Sequence, residues 1–132
     1  MIAYVDMFSG ISGDMTLGAL IDLGVPLDFL KEKLSHVLHG FQLKTNIVYK
    51  HHLKALDLIV DVIDDGHASR NYNEIKELIE NSSLSKKVKK NSLLAFEKIA
   101  LAESNIHGKD IESIHFHEIG GIDSIVDIIG SF

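Results

Sequence analysis

Three kinds of apolar pattern divide this chain. Residues 2–8 form a short, nearly continuous apolar run that predicts a strand buried on both faces. Asp6 interrupts that run, and a buried carboxylate needs a partner, hydrogen bonds or a cation. Ser9-Gly10-Ile11-Ser12-Gly13-Asp14 then reads as a glycine-hinged turn into a helix. Ser12 is the expected N-cap, Met15, Ala19, Leu20 and Leu23 the expected stripe, and Gly24 and Pro26 the stop. Residues 27–38 repeat apolar positions at helical spacing, with Leu27, Leu30, Leu34, Val37 and Leu38 inward and Gly40 as terminator. Strict alternation over residues 41–49 and 56–62 predicts two antiparallel strands joined through residues 50–55. Residues 64–70 read as a surface loop with His67 exposed. Residues 73–79 predict a short helix. Val88, Ser92, Ala95, Phe96, Ile99, Ala102 and Ile106 predict a long one over residues 85–107, closed by Gly108. The order predicts an α+β fold: a small, mainly antiparallel sheet of about three strands covered by four to five helices, in a single domain over residues 1–132.

Composition narrows the function classes. The 132 residues are 45% hydrophobic and 24% charged, as expected for a globular chain with one core. A formal charge of −6 argues against nucleic acid as a partner, since phosphate binding needs clustered Lys and Arg. The basic run Lys86-Lys87-Val88-Lys89-Lys90 reads as a solvated helix face. There is no cysteine, so a metal site here must use nitrogen and oxygen ligands. No long apolar run or targeting motif is present; the expectation is a cytoplasmic protein without a membrane partner.

The densest chemistry lies in Ser113-Ile114-His115-Phe116-His117-Glu118-Ile119-Gly120-Gly121-Ile122-Asp123-Ser124. An extended backbone sends both imidazoles to one face and Phe116 to the other, and Glu118 can complete a ligand set. Gly120-Gly121 allows a sharp turn into a short helix with Asp123 as N-cap. Spacing alone barely separates a metal site from two surface histidines on an edge strand. His51 and His52 fall in the predicted strand connection, where adjacent side chains diverge and at most one joins a given site. His36 and His39 suit the end of a helix dipole; His107 suits either a helix end or the His115 site. The strand, glycine turn and helix at the start are not a phosphate loop, because Asp14 and Met15 stand where a Lys followed by Ser or Thr would be required. A dinucleotide loop is also unsupported, and Asp14 repels a phosphate at that helix start. Asp6, Ser9, Ser12 and Asp14 are therefore either a polar rim for a cation or ligand, or plain turn-and-cap chemistry.

Resemblance adds to these patterns. Residues 4–15 and 17–24, from Tyr4-Val5-Asp6 through Ser9-Gly10-Ile11-Ser12-Gly13-Asp14-Met15 to Leu23-Gly24, resemble the amino-terminal motif of the LarC family. His107-Gly108 and the run from His115 to Ile128 resemble its second motif, with Gly121 where alanine is expected and Met7 where cysteine is frequent. The resemblance implies insertion of Ni(II) into pyridinium-3,5-bisthiocarboxylic acid mononucleotide to form the nickel-pincer nucleotide of lactate racemase-type enzymes. Two Ni–S bonds and one Ni–C bond form while CTP is hydrolysed to CMP and pyrophosphate, a CTP-dependent cyclometallase reaction of the lyase class. Family chains are much longer, so it implies that this chain is the amino-terminal Ni(II)-binding part, inactive alone, with CTP and a divalent metal bound by a carboxy-terminal partner domain. On that reading His115, His117, Glu118, Asp6 and Asp14, with His51 or His52, are the candidate metal ligands. Ser9, Gly10, Ser12 and Gly13 are the candidate contacts to the nucleotide precursor. Loss of the ring proton calls for a general base, a nearby carboxylate or imidazole.

Two other classes stand beside this one. The chain could be a docking or homo-oligomerisation module of the same protein, with metal handled elsewhere; stoichiometric, histidine-dependent Ni(II) binding separates the two. A metal-dependent hydrolase is compatible with the histidine and acid content, but no motif supports it.

Overall fold

The computed structural model describes residues 2, 4–64, 70–116 and 119–132. Five α-helices and two small antiparallel strand pairs make up the described fold, α+β as expected, with the strands in separate pairs rather than one sheet of about three. Helix α1 (Gly13–Asp22) and α2 (Leu27–Ser35) come first, then a hairpin of β1 (Phe41–Lys50) and β2 (Leu53–Val62). The short β3 (Arg70–Asn71) leads into α3 (Tyr72–Asn81) and α4 (Lys86–His107). A 3-10 turn (Ile111–Ser113), β4 (His115–Phe116) and α5 (Ile122–Gly130) complete the chain.

Helix α5 is the centre of the core. Ile122, Ile125, Val126 and Ile129 are all buried, and the helix touches α1, α2, α4 and β2. Around it pack Leu17, Leu34, Leu43, Leu58, Ile75, Ile79 and Phe96. The Phe96 and Phe116 rings meet tilted, 6.3 Å between centroids, and tie α4 to β4. Helix α4 runs over the expected residues, with Ser85 Oγ accepting the Val88 N–H and Gly108 at φ 60° closing it. Its inward row is Ser92, Phe96 and Ala100; Ala102 and Ile106 face solvent. Helix α3 is longer than the spacing predicts because Asn71 and Glu74 form a capping box ahead of it.

The amino-terminal expectation fails. Residues 4–8 form no strand, and Asp6 is exposed rather than buried. A strand needs a hydrogen-bonded neighbour, and no described strand lies alongside this one. The α1 stripe also differs. Met15, Ala19 and Leu23 are exposed and Leu20 only partly covered, whereas Leu17 and Gly18 are buried. Gly18 decides this, since a Cβ there would stand 2.6 Å from the Leu56 carbonyl oxygen; the helix lies backbone to backbone on β2. Its end matches expectation: Gly24, at φ 110°, donates to the Ile21 carbonyl and Val25 to that of Leu20.

Helix α2 stops at Ser35, short of Leu38, although Val37 and Leu38 remain buried. The hairpin is tighter than the predicted connection: Lys50 pairs with Leu53 across a two-residue turn. Its corners are His51 (φ 48°) and His52 (φ 67°), the left-handed pair that such a turn requires. Helix α5 is capped by Gly121, not Asp123, which lies exposed in the first turn. Of the predicted surface loop, Arg70 is buried in β3, while residues 65–69, including His67, lie outside the described residues. None of the described helices is long and apolar enough to cross a membrane.

Candidate functional site

The two motif regions meet in space. Helix α1 begins at Gly13, packed so closely on α5 that a Cβ at Gly13 would stand 2.3 Å from the Asp127 Cβ. Glycine alone permits that approach. It brings the start of α1 against the Asp127 carboxylate, joining the start of one motif to the end of the other. Asp127 Oδ1 is buried and has no hydrogen-bond partner among the described residues. Burial first, then the charge of Asp14 and that of Asp123, push the Asp127 carboxyl up to about 6. The Asp14 carboxylate is engaged locally: its Oδ1 accepts from Ser12 Oγ and, at 2.8 Å, from the Met15 N–H. Thr16 Oγ1 donates to the Ser12 carbonyl at 2.8 Å. Ser12 is thus the N-cap, but its hydroxyl turns to Asp14 rather than to the helix backbone.

This junction borders a cleft of about 430 Å³, lined by Ser12, Gly13, Thr16, Ser124, Asp127 and Ser131 over an apolar floor that includes Ala95, Ile99 and Ile128. Hydroxyls and one orphaned carboxylate oxygen over an apolar floor suit a cation or a ligand with a cationic ring. They do not suit a triphosphate, because no lining residue is Lys or Arg and Asp14 adds negative charge at the helix start.

The other candidates scatter more widely. His115 is exposed on β4, opposite Asn71, and Phe116 is buried, as alternation requires. His117 and Glu118 lie outside the described residues. Gly120 holds β4 against β3: a Cβ there would stand 2.5 Å from the Phe116 carbonyl oxygen, and Arg70 Nη1 donates to the Gly120 carbonyl at 3.1 Å. Asp6, Ser9 and Gly10 are exposed in the amino-terminal segment, where the Gly10 N–H closes a turn on the Met7 carbonyl at 2.9 Å. His51 and His52 occupy the hairpin tip. His107 stands 3.2 Å from Glu103 one helical turn earlier, so it serves the helix end. Among the described residues no three His, Asp or Glu side chains group as a ready-made metal site. Asp6 and Asp14 are not brought into such a group with His115.

Asp127 was missed as a candidate although it lies in the second motif. The signal was the pairing of a glycine at one helix start with a carboxylate on another helix, which no local pattern carries. A second, larger cleft of about 620 Å³ opens between α2 and α3, with His36, His39, Asp64, Arg70, Glu74 and Glu77 on its walls. It meets the second motif through Arg70, which pairs with Phe116 and donates to the Gly120 carbonyl. Residues of both motifs line the smaller cleft.

The family described as nickel insertion protein matches residues 3–132. A pyridinium-3,5-bisthiocarboxylic acid mononucleotide nickel insertion protein of Desulfitobacterium hafniense is 43% identical over 130 residues, covering 98% of this chain and 32% of that protein. Relatives from Wolinella succinogenes (46% identical, 34% of its length) and Syntrophobacter fumaroxidans (45%, 33% of its length) also carry names that describe nickel insertion. The chain spans about a third of the length of the curated relatives it matches. No solved structure matches it. This chain belongs to the nickel insertion protein family.

Proposed function

We propose that this chain is the Ni(II)-binding and delivery part of a protein that inserts nickel into pyridinium-3,5-bisthiocarboxylic acid mononucleotide. One observation carries the reading: the two motifs, at opposite ends of the chain, close on one another at Gly13 and Asp127 and leave a carboxylate oxygen unpaired beside a cleft. The chain has no thiolate, and its charged or strongly basic donors for Ni(II) are imidazole and carboxylate. Such donors hold Ni(II) while leaving it free to pass to sulfur and carbon, which a closed thiolate site would resist. Asp127 and Asp14 supply negative charge at the cleft, and Ser12 and Gly13 line it for the pyridinium nucleotide, with Ser9 and Gly10 in the turn ahead. His115, His117 and Glu118 are the further metal ligands, Asp6 and His51 or His52 the outer candidates.

The same reading assigns CTP hydrolysis, its divalent metal and the lyase-class bond formation to the remaining two-thirds of a family-length protein, since the cleft lining does not suit a triphosphate. It also places the protein in the cytoplasm, with self-association open to a sedimentation measurement.

Titration calorimetry with Ni(II) tests the proposal. About one ion per chain should bind at neutral pH, more weakly below about pH 6.5 as imidazole protonates. Asp127→Asn and His115→Ala should each weaken it at least tenfold. The absence of any saturable site would remove the proposal.

A further inference from the structure

Residues 4–8 and the outer face of α1 carry apolar surface that none of the described residues covers. Tyr4 is 89% exposed and Phe8 91%, and Val5 and Met7 are also largely in solvent. This run is β-prone, apolar and without a described strand beside it. Directly after it, Met15 and Ala19 on α1 and Leu23 at its C-cap make an exposed row at four-residue spacing. That helix buries its opposite side, Leu17 and Gly18, against the hairpin and α5. A helix apolar on both sides is one built to lie between two layers, and among the described residues α1 packs on one side only. The turn between Met7 and Gly10 joins the two surfaces, so strand and helix present themselves together.

The relatives show what is available to cover them. These residues align over 98% of this chain with proteins about three times as long, so two-thirds of a family-length chain lies outside the part described. A second copy of this chain is the less fitting occupant, because at −6 each it would bring like charge to like. We propose that residues 4–8 become a strand by pairing with a strand from that remaining two-thirds, which also lays an apolar layer over Met15, Ala19 and Leu23. Backbone pairing satisfies the open N–H and C=O groups of the run, and the added layer removes its side chains from water. The surface adjoins the Gly13–Asp127 cleft through the same turn, so the added part comes to the edge of the site. The pairing itself does not depend on nickel chemistry.

Hydrogen exchange tests it in two proteins, this chain and the full-length Wolinella succinogenes relative. Amides of residues 4–8 should exchange at unprotected rates in this chain. The aligned amides of the full-length relative should exchange ~100-fold more slowly, at every protein concentration. Equal rapid exchange in both proteins overturns the proposal. So does protection that appears only as concentration rises, the mark of a second copy. Phe8→Asp should leave the thermal melting of this chain unchanged, because the ring meets solvent. The aligned change should lower the melting temperature of the full-length relative by several degrees. An equal response in the two proteins also overturns the proposal.

Discussion

Asp127 carries its charge where one oxygen is buried and Asp14 lies close by, so ionising it works against folding. In the unfolded chain the carboxyl titrates near 3.8; in the folded chain it does so near 6. Between those values the folded state holds the extra proton, and stability falls as pH rises. Asp127→Asn should therefore be more stable than the parent at pH 8, by roughly 1 kcal/mol once partial solvation is allowed for, with the difference gone below about pH 4. Thermal melts across that range check it, and a variant that is less stable at pH 8 would contradict the assignment. A residue that costs stability and would aid binding of a cation is the pattern of a functional site. Gly13 is its counterpart. Gly13→Ala should cost about 1–3 kcal/mol in urea unfolding, since its Cβ collides with Asp127. Gly13 stood out only as a candidate contact to the nucleotide precursor and Asp127 not at all, and the contact between them was legible in neither. Gly13 reads as an ordinary turn glycine and Asp127 as one acid of an amphipathic helix, and only tertiary contact gives either its role. His115 and Phe116 were legible, because alternation is local and survived folding.

Elements with a dense periodic pattern matched their sequence best. The bounds of helix α4 were legible because its cap and its terminating Gly108 agree, although the last turns of its expected stripe, Ala102 and Ile106, face solvent. Helix α1 was not. Its long side chains announce a stripe that points away from the described core, and the face that packs does so through Gly18, which hydropathy cannot register. The hairpin shows the opposite error. Both strands were expected, but a two-residue turn was not, because turns of this type favour Asn-Gly over two histidines. Left-handed backbone at two non-glycine residues is strained. Replacing His51-His52 by Asn-Gly should stabilise the chain by about 0.5–1 kcal/mol in chemical unfolding. If instead stability falls, the imidazoles make contacts that the backbone argument overlooks.

At the scale of the molecule, the α+β class and the helix order followed from patterning, whereas the separation of the strands into two pairs did not. That outcome depends on which edges find neighbours, and the amino-terminal run finds none among the described residues. Division of labour is the matching functional expectation. This chain alone should neither bind CTP measurably nor complete the nickel cofactor, because its cleft lacks Lys and Arg. Mixing precursor, Ni(II) and CTP with this chain, with the remaining two-thirds, and with both together is the relevant assay. Turnover by this chain alone would end that division. His115→Ala should block any rescue in the mixture.

The contact between Gly13 and Asp127 also sets a clock. Its two sides are separated by most of these 132 residues, and loops that long close slowly. A chain still emerging from the ribosome has the glycine turn but no carboxylate to set against it. The cleft therefore comes into being only once nearly all of these residues are free to fold, and nascent chains reach that point without a half-made pocket.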